Sequence, residues 1–191
     1  MLQINEIFYS LQGEGSYSGV PAVFVRLAGC NLSCDFCDTD YSLKSFASIE
    51  QIVEAVRRLG GECPMVILTG GEPLAQAETL PLIDALARDG RRVHIESNGT
   101  ILTDLPHNVW LTVSPKERLT DGMAKRANEA KLIVDQRVPL EWLSRFPTET
   151  PVFLQPEGNK PENIALAIDA IKAAPRRLRL SLQTHKMIGI R

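Results

Sequence analysis

Seven short apolar runs punctuate the chain, at residues 22–27, 66–68, 93–96, 110–113, 131–134, 151–154 and 178–182, and this rhythm restricts the possible folds more than any other feature. Most are continuous rather than alternating, the pattern of parallel strands covered on both faces. Polar or glycine-bearing segments follow them directly: Thr69-Gly70-Gly71-Glu72, Glu96-Ser97-Asn98, Ser114-Pro115-Lys116, Gln155-Pro156-Glu157 and Gln183-Thr184-His185-Lys186. Polar groups gathered behind successive strands resemble the carboxyl-end rim of an α/β barrel, where ligands bind.

Three stretches read as helices. Ile49, Ile52, Val53, Val56 and Leu59 share one helical face, and Ser48 with Gln51 has the spacing of a capping box. A second helix is predicted over residues 78–89, with Leu80, Ile83 and Leu86 inward and Gly90 placed to stop it. A third follows Pro161, with Ile164, Ile168 and Ile171 aligned. Helices therefore separate only some of the strands. No internal repeat, low-complexity tract or long linker interrupts the 191 residues, so a single domain over residues 1–191 is expected.

Charge narrows the partners. With 21 basic against 23 acidic residues the net charge is −2, which leaves no global field to hold nucleic acid or an anionic membrane. The first residues lack a basic segment followed by an apolar one, and no apolar stretch approaches the roughly 18 residues of a membrane span. A cytoplasmic location is expected, with no nucleic-acid and no membrane partner.

Three of the four cysteines crowd into the eight positions from Cys30 to Cys37, which favours metal or redox chemistry over disulfides. With three residues between Cys30 and Cys34 and two between Cys34 and Cys37, three thiolates can each take one iron of a cubane. The fourth iron is then left without a protein ligand. An open iron does not suit simple electron transfer, but it suits a cluster that chelates a substrate or cofactor. The competing reading is a structural zinc site with Cys63 as fourth ligand. Cys63 lies far from the triad beside Pro64 and is expected to be a small buried apolar residue.

The cysteine spacing resembles that of the radical SAM superfamily, and Gly70-Gly71-Glu72-Pro73 behind the 66–68 run is similar to the superfamily's GGE motif. The resemblance implies a [4Fe–4S] cluster on Cys30, Cys34 and Cys37 whose open iron binds S-adenosylmethionine, in a partial, open (β/α) barrel with mostly parallel strands. Leu11-Gln12-Gly13-Glu14-Gly15, Cys37-Asp38-Thr39 and Thr184-His185-Lys186 narrow it, because together they are similar to the 7-carboxy-7-deazaguanine synthases. That family converts 6-carboxy-5,6,7,8-tetrahydropterin into 7-carboxy-7-deazaguanine with loss of ammonia, on the route to 7-deazapurines such as queuosine. It uses S-adenosylmethionine as a regenerated cofactor and requires Mg2+.

By this resemblance Leu11, Gln12, Gly13, Glu14 and Thr69 line the substrate pocket, and the carboxylate of the terminal Arg191 closes over it. Arg26, at the end of an apolar strand three residues before Gly29-Cys30, is the candidate cation for the substrate carboxylate; a salt bridge within the protein is its other reading. Thr39 is the implied Mg2+ ligand, acceptable because Mg2+ keeps several waters. Gly71, Glu72, Phe36, Asp38, Ser114, Pro115, Lys116, Gln155, Pro156, Glu157 and Gly158 are implied contacts of S-adenosylmethionine. A homodimer and a flavodoxin- or ferredoxin-type reductant are implied as well. The rival functions are a glycyl-radical activating enzyme and a zinc-stabilised module without catalysis.

Overall fold

The computed structural model describes residues 1–174 and 177–191. Its contacts divide the chain into two units. One comprises Met1–Leu11, Val20–Ser97 and Thr103–Trp110; the other comprises Gln12–Gly19, Asn98–Leu102 and Leu111–Arg191.

In the first unit, β1 (Leu2–Leu11), β2 (Pro21–Leu27), β3 (Ser45–Ala47), β4 (Met65–Gly70) and β5 (Arg92–Ser97) lie in the order β3-β1-β2-β4-β5. β2, β4 and β5 are parallel, β2 and β4 are mostly apolar, and Val23, Val25, Leu27, Val66, Ile67, Leu68, Val93 and Ile95 form a buried core. β1 and β3 pair antiparallel at its edge and were not anticipated from the sequence. The alternation in β1 is broken by a register shift between Ile4 and Glu6, which hides the period of two.

Helix α1 (Ile49–Gly60) starts on the predicted capping box: Ser48 accepts from Gln51 N and the Gln51 side chain accepts from Ser48 N. Ile52, Val53 and Val56 are buried, while Leu59 is exposed. In α2 (Thr79–Arg88) the buried face is Leu82, Ile83 and Leu86; Leu80, expected inward, is exposed.

The second unit carries β6 (Trp110–Val113, from Leu111 onward), α3 (Asp121–Arg126), β7 (Glu129–Val134), β8 (Val152–Pro156), α4 (Pro161–Ala173), β9 (Leu178–Leu180) and α5 (Thr184–Ile188). β6 to β9 are parallel neighbours in sequence order. The α4 face also differs from expectation, since Asn163 and Ala167 are buried and Ile164, Ile168 and Ile171 are partly exposed. Asn163 is buried because its side chain accepts from Gln136 N and donates to the Glu157 carbonyl.

The architecture is therefore α/β, with mostly parallel strands and fewer helices than strands. β3 and β9 each have one strand partner among the described residues. Among the described residues no helix is long and apolar enough to cross a membrane.

Candidate active site

Three loops leave the carboxyl ends of the parallel strands in the first unit. The register aligns Arg26 with Thr69 and Leu27 with Gly70, so β2 and β4 stop level with one another. β2 runs into the cysteine loop, whose base is closed by Gly29 N donating to the Tyr41 carbonyl at 2.9 Å. β4 runs into Gly71-Glu72, and Glu72 N donates back to the Gly29 carbonyl at 3.0 Å. The cysteine loop and the glycine turn are thus built onto each other. A Cβ on Gly71 would lie 1.9 Å from the Gly29 oxygen and 2.8 Å from the Cys30 Cβ, which explains the glycine by close backbone approach.

Glu72 is fully buried, and its carboxylate accepts from Leu74 N and from Ser97 Oγ, each at 3.0 Å. It fastens the turn to the end of β5. Cys30, Cys34 and Cys37 are free thiols that range from partly to fully exposed. Partial burial and the charges of Glu72 and Cys37 raise the Cys30 thiol above its ordinary value, against N–H donors from Leu32 and Asn31. Among the described residues no three His, Cys, Asp or Glu side chains are gathered as a ready metal site. The donor set still fits an iron–sulfur cluster: three free thiols on one loop, none spent on a disulfide, with a glycine turn packed at the loop's base.

Cys63 is separate from this loop. It is buried, and its thiol donates to the carbonyls of Pro21 at 3.3 Å and Met65 at 3.7 Å, as a small core residue does. Arg26 is half-buried, its Nε donating to Glu6 at 2.9 Å and its guanidinium lying 5.8 Å from the Phe8 ring centroid. Thr39 donates from Oγ1 to Asp38 at 3.4 Å.

Within the second unit, the Gln12–Gly19 segment meets the segment around Thr184. Thr184 donates from both N and Oγ1 to the Gly13 carbonyl, at 3.0 and 2.9 Å, and His185 packs so tightly on Gly13 that a Cβ there would meet its Nδ1 at 2.1 Å. Ser181 Oγ accepts from Gly15 N, and Glu129 accepts from Ser16 N, each at 3.0 Å. Gln12 is buried, and its Oε1 accepts from Glu14 N at 3.2 Å. Glu14 itself accepts from Lys131 Nζ and, at 3.0 Å, from Gln183 Nε2. Burial pushes the Glu14 carboxyl up, but the charge and hydrogen bond of Lys131, the Gln183 amide and the His185 charge outweigh it and hold it below the ordinary 4.5.

Strand ends in this unit bring further predicted residues into place. Behind β6, Ser114 and Pro115 are buried and Lys116 Nζ donates to Ser114 Oγ at 2.5 Å. At the end of β8, Gln155 accepts from Ser181 Oγ at 3.2 Å, Pro156 is buried, and Glu157 pairs with Lys160 at 2.5 Å before Gly158. Arg191 is exposed.

The strand expected over residues 131–134 is β7, which begins at Glu129. Ala130, Leu132 and Val134 take one face, and the buried Glu129 and Lys131 take the other. Glu129 accepts from Thr112 Oγ1 at 3.0 Å. Sequence reasoning missed both charges as candidates; their spacing of two within an apolar strand was the available signal.

Comparison with known proteins agrees with this geometry. The model of the Radical SAM superfamily matches residues 24–134. The chain is 43% identical to the 7-carboxy-7-deazaguanine synthase of Bacteroides thetaiotaomicron, with 100% of each chain covered. It is 38% identical to that of Rhodospirillum rubrum, covering 99% of this chain and 92% of the relative. Among solved structures, the crystal structure of QueE from Escherichia coli superposes with a TM-score of 0.82 at 32% identity, covering 95% of this chain and 93% of the other.

Proposed function

The chain belongs to the 7-carboxy-7-deazaguanine synthases of the radical SAM superfamily and is a radical SAM enzyme of that type, and from this premise we propose how its own residues divide the reaction. The reaction is conversion of 6-carboxy-5,6,7,8-tetrahydropterin into 7-carboxy-7-deazaguanine with loss of ammonia, in queuosine biosynthesis. Cys30, Cys34 and Cys37 hold a [4Fe–4S] cluster. A reduced cluster held there would, with S-adenosylmethionine bound, supply hydrogen-abstracting radical chemistry. The observation that carries the reading is the mutual packing of the cysteine loop and the glycine turn at Gly29 and Gly71.

S-adenosylmethionine is bound by the backbone of Gly71 beside Glu72, by Phe36 and Asp38 in the cysteine loop, and by Ser114, Pro115, Lys116, Gln155, Pro156, Glu157 and Gly158. Gly71 and Glu72 follow β4, Ser114, Pro115 and Lys116 follow β6, and residues 155–158 end or follow β8; strand ends are where α/β folds bind ligands. The pterin is bound by Leu11, Gln12, Gly13, Glu14, Arg26 and Thr69, together with Arg191. The register pairing of Arg26 with Thr69 supports a shared role for those two. Arg26 must exchange part of its pairing with Glu6 to meet the substrate carboxylate. Thr39 would hold Mg2+ through its neutral hydroxyl oxygen, and the ion would offset part of the charge of the substrate carboxylate.

The full-length match to relatives supports one catalytic domain over residues 1–191. A cytoplasmic homodimer served by a flavodoxin- or ferredoxin-type reductant completes the proposal. Anaerobic incubation of the iron-loaded protein with the pterin, S-adenosylmethionine, Mg2+ and a reductant tests it. The expected product has the mass of 7-carboxy-7-deazaguanine, and about four irons accompany each chain. A loaded cluster that leaves the pterin unchanged would sink the assignment.

A further inference from the structure

Lys131 has no part in the roles above, yet few charges in the chain are more enclosed. Its side chain keeps 8% exposure, and the Glu14 carboxylate paired with it keeps 14%. Taking an ammonium out of water is costly unless a partner and further hydrogen bonds meet it. On β7 the buried Glu129 shares its face, and Glu129 accepts from Thr112 Oγ1 and Ser16 N; the ion pair of Lys131 reaches across to another segment of the chain.

That segment is the loop that the family resemblance assigns to the pterin. Lys131 Nζ donates to Glu14 Oε2, and Gln183 Nε2 donates to Oε1 at 3.0 Å. One donor therefore fixes each oxygen, and the carboxylate can neither rotate nor tilt without breaking one of them. An ionised carboxylate offers about four acceptor positions, of which these bonds use two. The loop around it is fixed by backbone donors as well, through Gly15 N to Ser181 Oγ and Ser16 N to Glu129.

We infer that Lys131 is a positioning residue for substrate recognition: it fixes the Glu14 carboxylate so that its free lone pairs accept the adjacent N–H donors of the pterin's 2-aminopyrimidinone edge. This rests on the proposed pterin reaction. That edge presents a ring N–H and an amino group side by side, the donor pair a carboxylate accepts through two parallel hydrogen bonds. Without Lys131 the enclosed carboxyl loses the charge that most opposes the effect of burial, which makes protonation easier. A protonated carboxyl presents a donor where the pterin also presents donors.

The test compares equilibrium binding of 6-carboxytetrahydropterin to the iron-loaded holoenzyme with S-adenosylmethionine, without reductant, and steady-state kinetics with it. Lys131→Met raises Kd and KM for the pterin by about tenfold or more, as expected when one partner of an enclosed charge pair is removed. Turnover at saturation falls far less, and Lys131→Arg recovers most of the affinity. Because Lys131 acts through Glu14, the double variant Glu14→Gln/Lys131→Met binds no more than about twofold more weakly than Glu14→Gln alone. Unchanged pterin affinity in Lys131→Met, or single effects that multiply in the double variant, overturns the inference. Should Lys131→Met fail to fold, Gln183→Met removes the other donor and is read by the same affinity. A wild-type holoenzyme that does not bind the pterin overturns the proposed reaction together with this inference, whereas wild-type binding with an unaffected Lys131→Met overturns the inference alone.

Discussion

A methyl group at position 71 would meet the Gly29 carbonyl oxygen at 1.9 Å and its carbon at 2.4 Å, both parts of the backbone that carries Cys30. Backbone cannot swing aside as a flexible side chain can, so the cysteine loop itself must move. Gly71→Ala is expected to cost about 1–3 kcal/mol, the usual penalty of overpacking. The loss is read as a lower Tm of the iron-loaded protein and as less iron retained after reconstitution; wild-type values of both would show that the close packing does not matter. The sequence marked Gly71 as a ligand contact, from its place behind an apolar run. That it also seats the cysteine loop was not legible, because the atom it meets lies 42 positions away in the chain.

Elements were legible where their signals are local. The capping box of α1 needs only Ser48 and Gln51, and both hydrogen bonds form. Ser48→Ala should cost about 1 kcal/mol, which for a chain of this size lowers Tm by about 2–4 °C. Thermal unfolding checks this, and an unchanged Tm would mean that the cap carries no stability. The faces of helices were less legible. In α2, Leu80 and Leu82 are both consistent with an amphipathic pattern, and the packing against β5 and α1 selects Leu82. In β7 a lysine and a glutamate hide inside a strand because polar partners cover that face, something no strand propensity encodes.

Stability of the whole molecule responds to acid through a buried imidazole. His94, stacked on Trp110 with ring centroids 5.9 Å apart, is pulled down from the ordinary 6.5 to about 4 by burial and by the charge of Arg92. Between these values the unfolded chain binds a proton that the native state refuses, so stability falls as pH drops below 6.5. Unfolding free energies should fall by about 1 kcal/mol between about pH 7.5 and 5.5 on this account, and His94→Gln should flatten that part of the profile. An equally steep profile in the variant would assign the acid sensitivity to other groups. The sequence by itself determined the chemistry available: three thiols at cluster spacing, parallel strands with polar ends, and the paired motifs that name the family. Those properties depend on residue identity and short spacing, which a linear reading preserves. Only the tertiary structure decided that Glu14 meets Lys131, 117 positions on, and Gln183, 169 positions on. Such pairings depend on strand register and on which face a side chain takes, and both are settled when the strands assemble.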